Sequence, residues 1–254
     1  MTTDSMQTIS RSIQILKSFS REEKEISLAE FHRKLGLSKS SIQRILNTLV
    51  TCGFLEKDNQ KKTYKLGIEL YYLGKLVEDH SHLITVSKPY LTKLRDRFGE
   101  TVYLNVIENN LRKCIAFEEA KHDLMTVSYV GQTSPLYAGA SAKLLLAFLP
   151  NEKKEQYFKD LNLKPVTDTT ITDVNKLKDE LRQIQKNGYA ISYGERVTGI
   201  FSVSAPIKSS TGEVVAGISI AAPSVRVDDK ISEEFIKSVQ EIAKELSNEL
   251  KFKI

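Results

Sequence analysis

The chain has 254 residues, 41% of them apolar and 27% charged, with a formal net charge of +5. That is enough chain for one large or two ordinary domains with a real core. No apolar run is long enough to span a membrane, and the start, MTTDSMQTIS, lacks the basic-then-apolar order of a signal peptide, so a cytoplasmic protein is expected. Cys52 and Cys114 show no CxxC spacing and are read as free thiols of a reducing compartment.

The charge is unevenly placed. Residues 1–75 hold 13 Lys and Arg against 8 Asp and Glu; the totals of 37 and 32 leave 24 of each for the rest. All the excess positive charge therefore lies at the N-terminal end, the pattern of a nucleic-acid reader joined to a neutral partner domain.

Taken in order, Ile9, Ile13, Leu16 and Phe19 form one apolar stripe, predicting an amphipathic helix over Ser10 to Ser20. After a charged connection, Arg21 to Glu25, Ser27 and Glu30 read as a capping box. They start a second helix, Leu28 to Leu35, with Leu28, Phe31 and Leu35 inward. Gly36 ends it, and Ser38 caps a third helix, Lys39 to Leu49. Ile42, Ile45, Leu46 and Leu49 form the inner face of that helix, leaving Lys39, Ser40, Ser41, Gln43, Arg44, Asn47 and Thr48 outside. Two short helices joined by a glycine turn make a helix-turn-helix, whose second helix enters the major groove. Arg can grip guanine, Gln or Asn can pair with adenine, and Ser, Thr and Lys can hold phosphate.

Cys52-Gly53 breaks the third helix. Phe54–Lys57 and Thr63–Leu66 then read as strands around a turn, DNQKK. This hairpin would make the domain a winged helix, with Lys61 and Lys62 against the phosphate backbone or minor groove. Residues 1–67 are thus read as the DNA-binding domain and 68–85 as a linker helix. The apolar side of that helix can pack on another subunit or on its own chain.

Residues 86–254 read as the second domain. Helices are expected at Val86–Phe98, Ala140–Phe148, Glu152–Leu161, Asp173–Asn187 and Lys230–Phe252. Strands are expected at Thr101–Ile107, Lys113–Phe117, Met125–Tyr129, Tyr189–Ser192, Ile200–Ile207 and Val214–Ala221, with a turn at Gly131–Pro135. The fold class is α+β in two domains: a winged helix-turn-helix, a linker helix, and an antiparallel sheet flanked by helices.

No catalytic residue, metal site or cofactor is assigned. Gly139-Ala140-Ser141-Ala142 falls short of a nucleophile elbow, since the last glycine is missing and His32, His80, His82 and His122 all precede Ser141. Gly139 to Lys143 is not a phosphate loop either, and no HExxH, GxGxxG or paired Cys/His spacing occurs. Two functions remain: an effector-controlled DNA-binding regulator, or a small-molecule-binding protein or enzyme with an incidental helix-turn-helix used for protein contacts.

From about Ile9 to Leu246 the chain resembles the IclR family of transcriptional regulators. The resemblance rests on SLAEFHRKLGLSKSSIQRILNTL, CGFLEKD and YKLG in the first part. In the second it rests on Pro135 to Lys143, Gly188-Tyr189-Ala190, Gly199 to Pro206 and Gly217 to Pro223. It implies a winged helix joined by a helix to a GAF-like effector domain, acting as a homodimer or homotetramer on promoter DNA. It also implies an effector pocket at Ala140, Ser141, Ser192, Ser202, Ser219 and Ala221. Anions bind at helix N-termini, so the start of the Ala140 helix suits a carboxylate or carbonyl oxygen. This chain departs from the family pattern: Ser192 replaces an acidic residue, Ser202 a cysteine, Ala221 a serine, and Ala142 the usual glycine. The effector is therefore a small organic compound, either a carboxylate or a less polar, aromatic one.

Overall fold

The computed structural model describes residues 3–126, 129–159 and 161–252. The chain divides into two compact units, Met1–Ser81 and His82–Ile254.

The first unit contains α1 (Thr3–Leu16), β1 (Ile26–Ser27), α2 (Leu28–Leu35), α3 (Lys39–Thr51), β2 (Leu55–Asp58), β3 (Thr63–Leu66) and α4 (Glu69–His80). The capping box forms in full: the Glu30 amide donates to Ser27 Oγ at 3.3 Å, and the Ser27 amide donates to Glu30 Oε2 at 2.7 Å. Gly36 takes a left-handed φ of 67°, which costs a residue without a Cβ nothing, and its N–H donates to the His32 carbonyl. Ser38 Oγ caps α3 by accepting from the Ser41 amide. The strands pair antiparallel in the order β1-β3-β2, which builds the wing.

The core of this unit is Ile15, Phe31, Ile42, Leu46, Leu55 and Tyr64 with their neighbours. The expected stripe on the first helix is off register. Ile9 and Ile13 are exposed, while Ile15, with partly buried Leu16 and Phe19, supplies the contact. The helix also starts earlier and stops at Leu16 rather than Ser20. Only the C-terminal turn of α1 reaches the core, so periodicity along the whole helix did not mark the buried side.

The linker expected at residues 68–85 is divided. α4 ends at His80, Ser81 is extended, and α5 (His82–Phe98) starts at once. The polar Glu78-Asp79-His80-Ser81 interrupts the apolar pattern at that place. α4 has no buried residue within its unit.

The second unit continues with β4 (Thr101–Glu108), β5 (Leu111–Glu118), β6 (Thr133–Pro135), α6 (Ala140–Ala147), α7 (Asn151–Lys159), α8 (Val174–Asn187), β7 (Ala190–Tyr193), β8 (Ile200–Lys208), β9 (Val214–Pro223) and α9 (Asp229–Phe252). Among the described residues the strands form one antiparallel sheet, in the order β6-β5-β4-β9-β8-β7.

Three expectations fail here. The strand placed at Met125–Tyr129 falls partly on residues 127 and 128, outside the described residues. Met125, Thr126 and Tyr129 are not in a strand. The Thr126 carbonyl instead accepts from the Thr101 and Tyr103 hydroxyls, so side chains take the place of a ladder. The edge strand is β6, inside the segment expected to be a turn, paired with residues 111–113 of β5. The helix expected to reach Leu161 ends at Lys159; residue 160 lies outside the described residues.

Alternation divides the sheet into two chemically different faces. Val102 and Leu104, Phe201, Val203, Ala205 and Ile207, and Ile218, Ile220 and Ala222 share the core with α5 and α9. The opposite residues are mostly polar: Tyr103 and Asn105, Ser202 and Ser204, Ser219 with Ala221. That face meets α6, whose Leu144 lies against Gly217, where a Cβ would stand 3.1 Å from Leu144 Cδ2. A buried polar face under a short helix is where a site can form.

Candidate functional site

The helix-turn-helix presents a face that is partly committed to itself. Lys39, Ser40, Arg44 and Asn47 are exposed on α3, and Ser41 and Gln43 are half-buried. Gln43 Nε2 donates to Asn47 Oδ1 at 2.8 Å and to the Tyr64 hydroxyl at 3.0 Å. The Gln43–Asn47 pair is thus tied to β3, and Arg44 makes no ion pair among the described residues. A guanidinium so placed can take the O6 and N7 of guanine.

At the wing, Asp58 Oδ1 accepts the backbone N–H groups of Gln60 and Lys61, which holds its carboxyl below the usual range. Lys62 closes the turn with φ 57°. The two wing lysines differ. Lys61 Nζ is paired with both oxygens of Glu25 at 3.1 Å, whereas exposed Lys62 makes no ion pair among the described residues.

In the second unit, Ala140, Ser141, Ser192, Ser202, Ser219 and Ala221 line one cavity. The sheet register explains this. Ser192, Ser202 and Ala221 are paired across β7, β8 and β9, and Ser219 is one pleat along β9, opposite Tyr103. The cavity is small, with a volume of about 30 Å³. The hydroxyls of Ser141, Ser192 and Ser202 make no hydrogen bond among the described residues. Ser219 is engaged, donating to Ser204 Oγ at 2.8 Å.

Sequence reading missed the charged part of this wall. Arg112, only 2% exposed, points from β5 into the cavity. Its Nε donates to Ser134 Oγ at 2.8 Å and its Nη1 to Asn105 Oδ1 at 2.7 Å, while Nη2 is buried without a partner among the described residues. Burial, with the nearby Arg196 charge, lowers the Arg112 pKa to about 10, still a cation at neutral pH. Arg196 comes from the loop after β7 and packs beside Gly139 at the start of α6. It has no hydrogen bond or ion pair among the described residues, and burial lowers its pKa too.

Glu195 has another task. Its Oε2 accepts the Gly139 N–H at 3.1 Å, and its Oε1 meets Lys143 Nζ at 2.6 Å; Glu180 holds the same ammonium at 2.6 Å. Lys143 is 1% exposed, so this ionic cluster fixes α6 against the loop. Thr167 and Thr170 donate to the carbonyls of Gly194 and Glu195 and pin that loop from the other side. The first-turn N–H groups of α6 beyond Gly139 have no side-chain cap.

Arg112 was legible in principle, because Arg112 and Cys114 alternate onto the same buried side of β5, ahead of the bulge that turns Ala116 to the other face. Arg196, in Gly-Glu-Arg-Val-Thr-Gly, has no periodicity to give its direction.

Comparison with known proteins covers both units. The IclR helix-turn-helix domain matches residues 8–59, and the bacterial transcriptional regulator IclR C-terminal domain matches residues 76–248. The chain is 31% identical over 243 residues to the HTH-type transcriptional regulator KipR of Bacillus subtilis (strain 168), covering 96% of each protein. Among solved structures, the Thermotoga maritima IclR superposes with a TM-score of 0.80 at 31% identity, over 96% of this chain and 99% of that one. An IclR homolog from Microbacterium hydrocarbonoxydans, complexed with 4-hydroxybenzoate, has the same fold, with a TM-score of 0.84 at 22% identity over 96% and 98% of the two chains.

Proposed function

The chain belongs to the IclR family of bacterial transcriptional regulators, and on that premise we propose a cytoplasmic repressor whose hold on promoter DNA is set by a small organic effector. The DNA-binding part is residues 1–67, with Lys39, Ser40, Ser41, Gln43, Arg44 and Asn47 facing the major groove and Lys61 and Lys62 on phosphate. Residues 68–85 link it to the effector domain, 86–254. Occupying promoter DNA excludes polymerase, which makes repression the simplest output.

The single observation that carries the effector reading is the cavity beneath α6. It is polar, buried and lined by free hydroxyls, uncapped amides and a guanidinium nitrogen without a partner. Unsatisfied buried donors are costly, and an acceptor-rich ligand would satisfy them. The relative bound to 4-hydroxybenzoate supports a carboxylate, an aromatic compound or both as effector. The cavity is assigned binding without turnover.

The exposed apolar residues Met6, Ile9 and Ile13 of α1, and Tyr71, Tyr72, Leu76 and Val77 of α4, support a homodimer or homotetramer. A two-fold pair of recognition helices would read two half-sites.

Fluorescence anisotropy on a promoter fragment the protein retains, with and without candidate effectors, tests this function. A shift in DNA affinity that Ser141→Phe abolishes, without changing the ligand-free affinity, is the expected result. A shift that survives Ser141→Phe would move the effector site elsewhere.

A further inference from the structure

The charges around the cavity do not cancel, and this bears on what it binds. Two cationic side chains, Arg112 and Arg196, line it, and a third, Lys143, is buried on the adjoining α6. Lys143 is matched by Glu195 and Glu180. Among the described residues Arg112 and Arg196 are matched by no carboxylate: Arg112 is held by two neutral oxygens, and Arg196 by none. Arg196 is close enough for its charge to add to burial in lowering the Arg112 pKa. Like charges gathered in a partly dry space are unfavourable unless an anion joins them.

Geometry gives each arginine a different place. Arg112 stands on the sheet wall, almost wholly buried, with one terminal nitrogen unsatisfied. Arg196 lies at the α6 side, its Cβ and Cδ against Gly139 at the start of that helix. Ser134 and Asn105 fix Arg112, and the threonine-pinned loop fixes Arg196's backbone. Sites that are held before the ligand arrives lose less on binding it.

Resting on the reading of this cavity as the effector site, we infer that its ligand is a compact organic dianion, one acidic group on Arg112 and the other on Arg196 and the α6 amides. Guanidinium–carboxylate bonds are charge-assisted and directional, and buried ones discriminate strongly. The void is narrow, so the ligand is small, and the two positions favour acidic groups at its two ends. A monocarboxylate, aromatic or not, would leave one guanidinium unmatched.

The test uses the full chain and calorimetric titration at neutral pH. The probes are succinate, glutarate and glycerol phosphate as dianions, butyrate and 4-hydroxybenzoate as monoanions, and benzyl alcohol as a neutral aromatic. A dianion should bind at least about tenfold more tightly than butyrate. Dicarboxylates above glycerol phosphate would identify the ligand as a diacid, and the reverse order as a phosphate ester. Arg196→Gln, at a position with no structural bond to lose, should remove about tenfold of the dianion affinity and change butyrate little; Arg196→Lys should restore part of it. Arg112→Gln should act alike, but Arg196→Gln decides the matter, because Arg112 also supports the fold.

The inference is overturned if butyrate, 4-hydroxybenzoate or benzyl alcohol binds as well as the dianions, if Arg196→Gln leaves the ratio unchanged, or if no dianion binds at millimolar concentration. Ser141→Phe separates this from failure of the site itself. Loss of whichever probe binds keeps the cavity as the effector site, and undiminished binding removes both.

Discussion

Arg112 Nη1 donates to Asn105 Oδ1 at 2.7 Å across two neighbouring strands, and this bond aims the rest of the guanidinium into the cavity. Asn105 in turn faces Ser219, which donates to Ser204, so a chain of polar side chains crosses the inner face of the sheet. The opposite face of the same strands is packed with aliphatic and aromatic residues. One alternating pattern thus builds both a core and a prepared polar wall.

On α3, Arg44→Ala is expected to cost about 1–3 kcal/mol of binding to the cognate site and to relax the base preference at one position. Gln43→Ala should weaken binding as well, because it frees Asn47 and breaks the tie to Tyr64. Quantitative footprinting on wild-type and singly altered sites checks both. Unchanged affinity and preference in both variants would remove α3 as the reading helix.

The wing lysines should separate. Replacing both, Lys61→Ala with Lys62→Ala, should weaken binding to all sequences and flatten the dependence of log affinity on log salt. Lys62→Ala alone should reduce that slope by about one unit, the loss of one phosphate contact. Lys61→Ala should reduce it less, since Glu25 already competes for its ammonium. Titrations over a range of salt test this, and an unchanged slope in the double variant takes the wing off the DNA.

Lys143 holds two carboxylates, and one of them, Glu195, is also the ligand of the Gly139 N–H. Lys143→Met should destabilise the second unit by about 3–5 kcal/mol, because it leaves Glu195 buried without its cation. Denaturant unfolding followed by fluorescence of a probe in that unit measures it. A loss below about 1 kcal/mol would mean that the cluster is not what fixes α6.

Burial raises the Tyr103 hydroxyl from the ordinary 10 to about 12. A folded pKa above the unfolded one means that this contribution to stability is complete below pH 10 and is lost as pH rises from 10 to 12. Tyr90 and Tyr157 are raised to the same range, by the Glu249 hydrogen bond and by burial respectively. Tyr103→Phe should therefore make the alkaline loss of stability less steep without abolishing it. Thermal melts from pH 9 to 12 show this, and parallel curves would contradict the buried, neutral hydroxyl.

Much of this was readable before any coordinates. The capping box, Gly36 and the inward face of Ile42, Ile45 and Leu46 are local signals, and the structure realises each. Ala140 with Ser141, Ser192, Ser202, and Ser219 with Ala221 come from four separate stretches of the chain, and the family resemblance gathered them. What stayed hidden depends on tertiary partners. Ile15, rather than Ile9 and Ile13, is buried because only the end of α1 touches the core. Arg196 enters the cavity because Thr167 and Thr170 pin an aperiodic loop. The Lys143 cluster needs Glu180 on α8 and Glu195 after β7, a pairing no spacing announces.

Promoter-specific DNA binding by this regulator is measured by mapping the genomic fragments that the purified full chain retains at moderate salt. Enrichment of one or a few promoters carrying two related half-sites, with the retained set changed by the effector, is the expected result. Retention of all fragments alike, or of none, would contradict it.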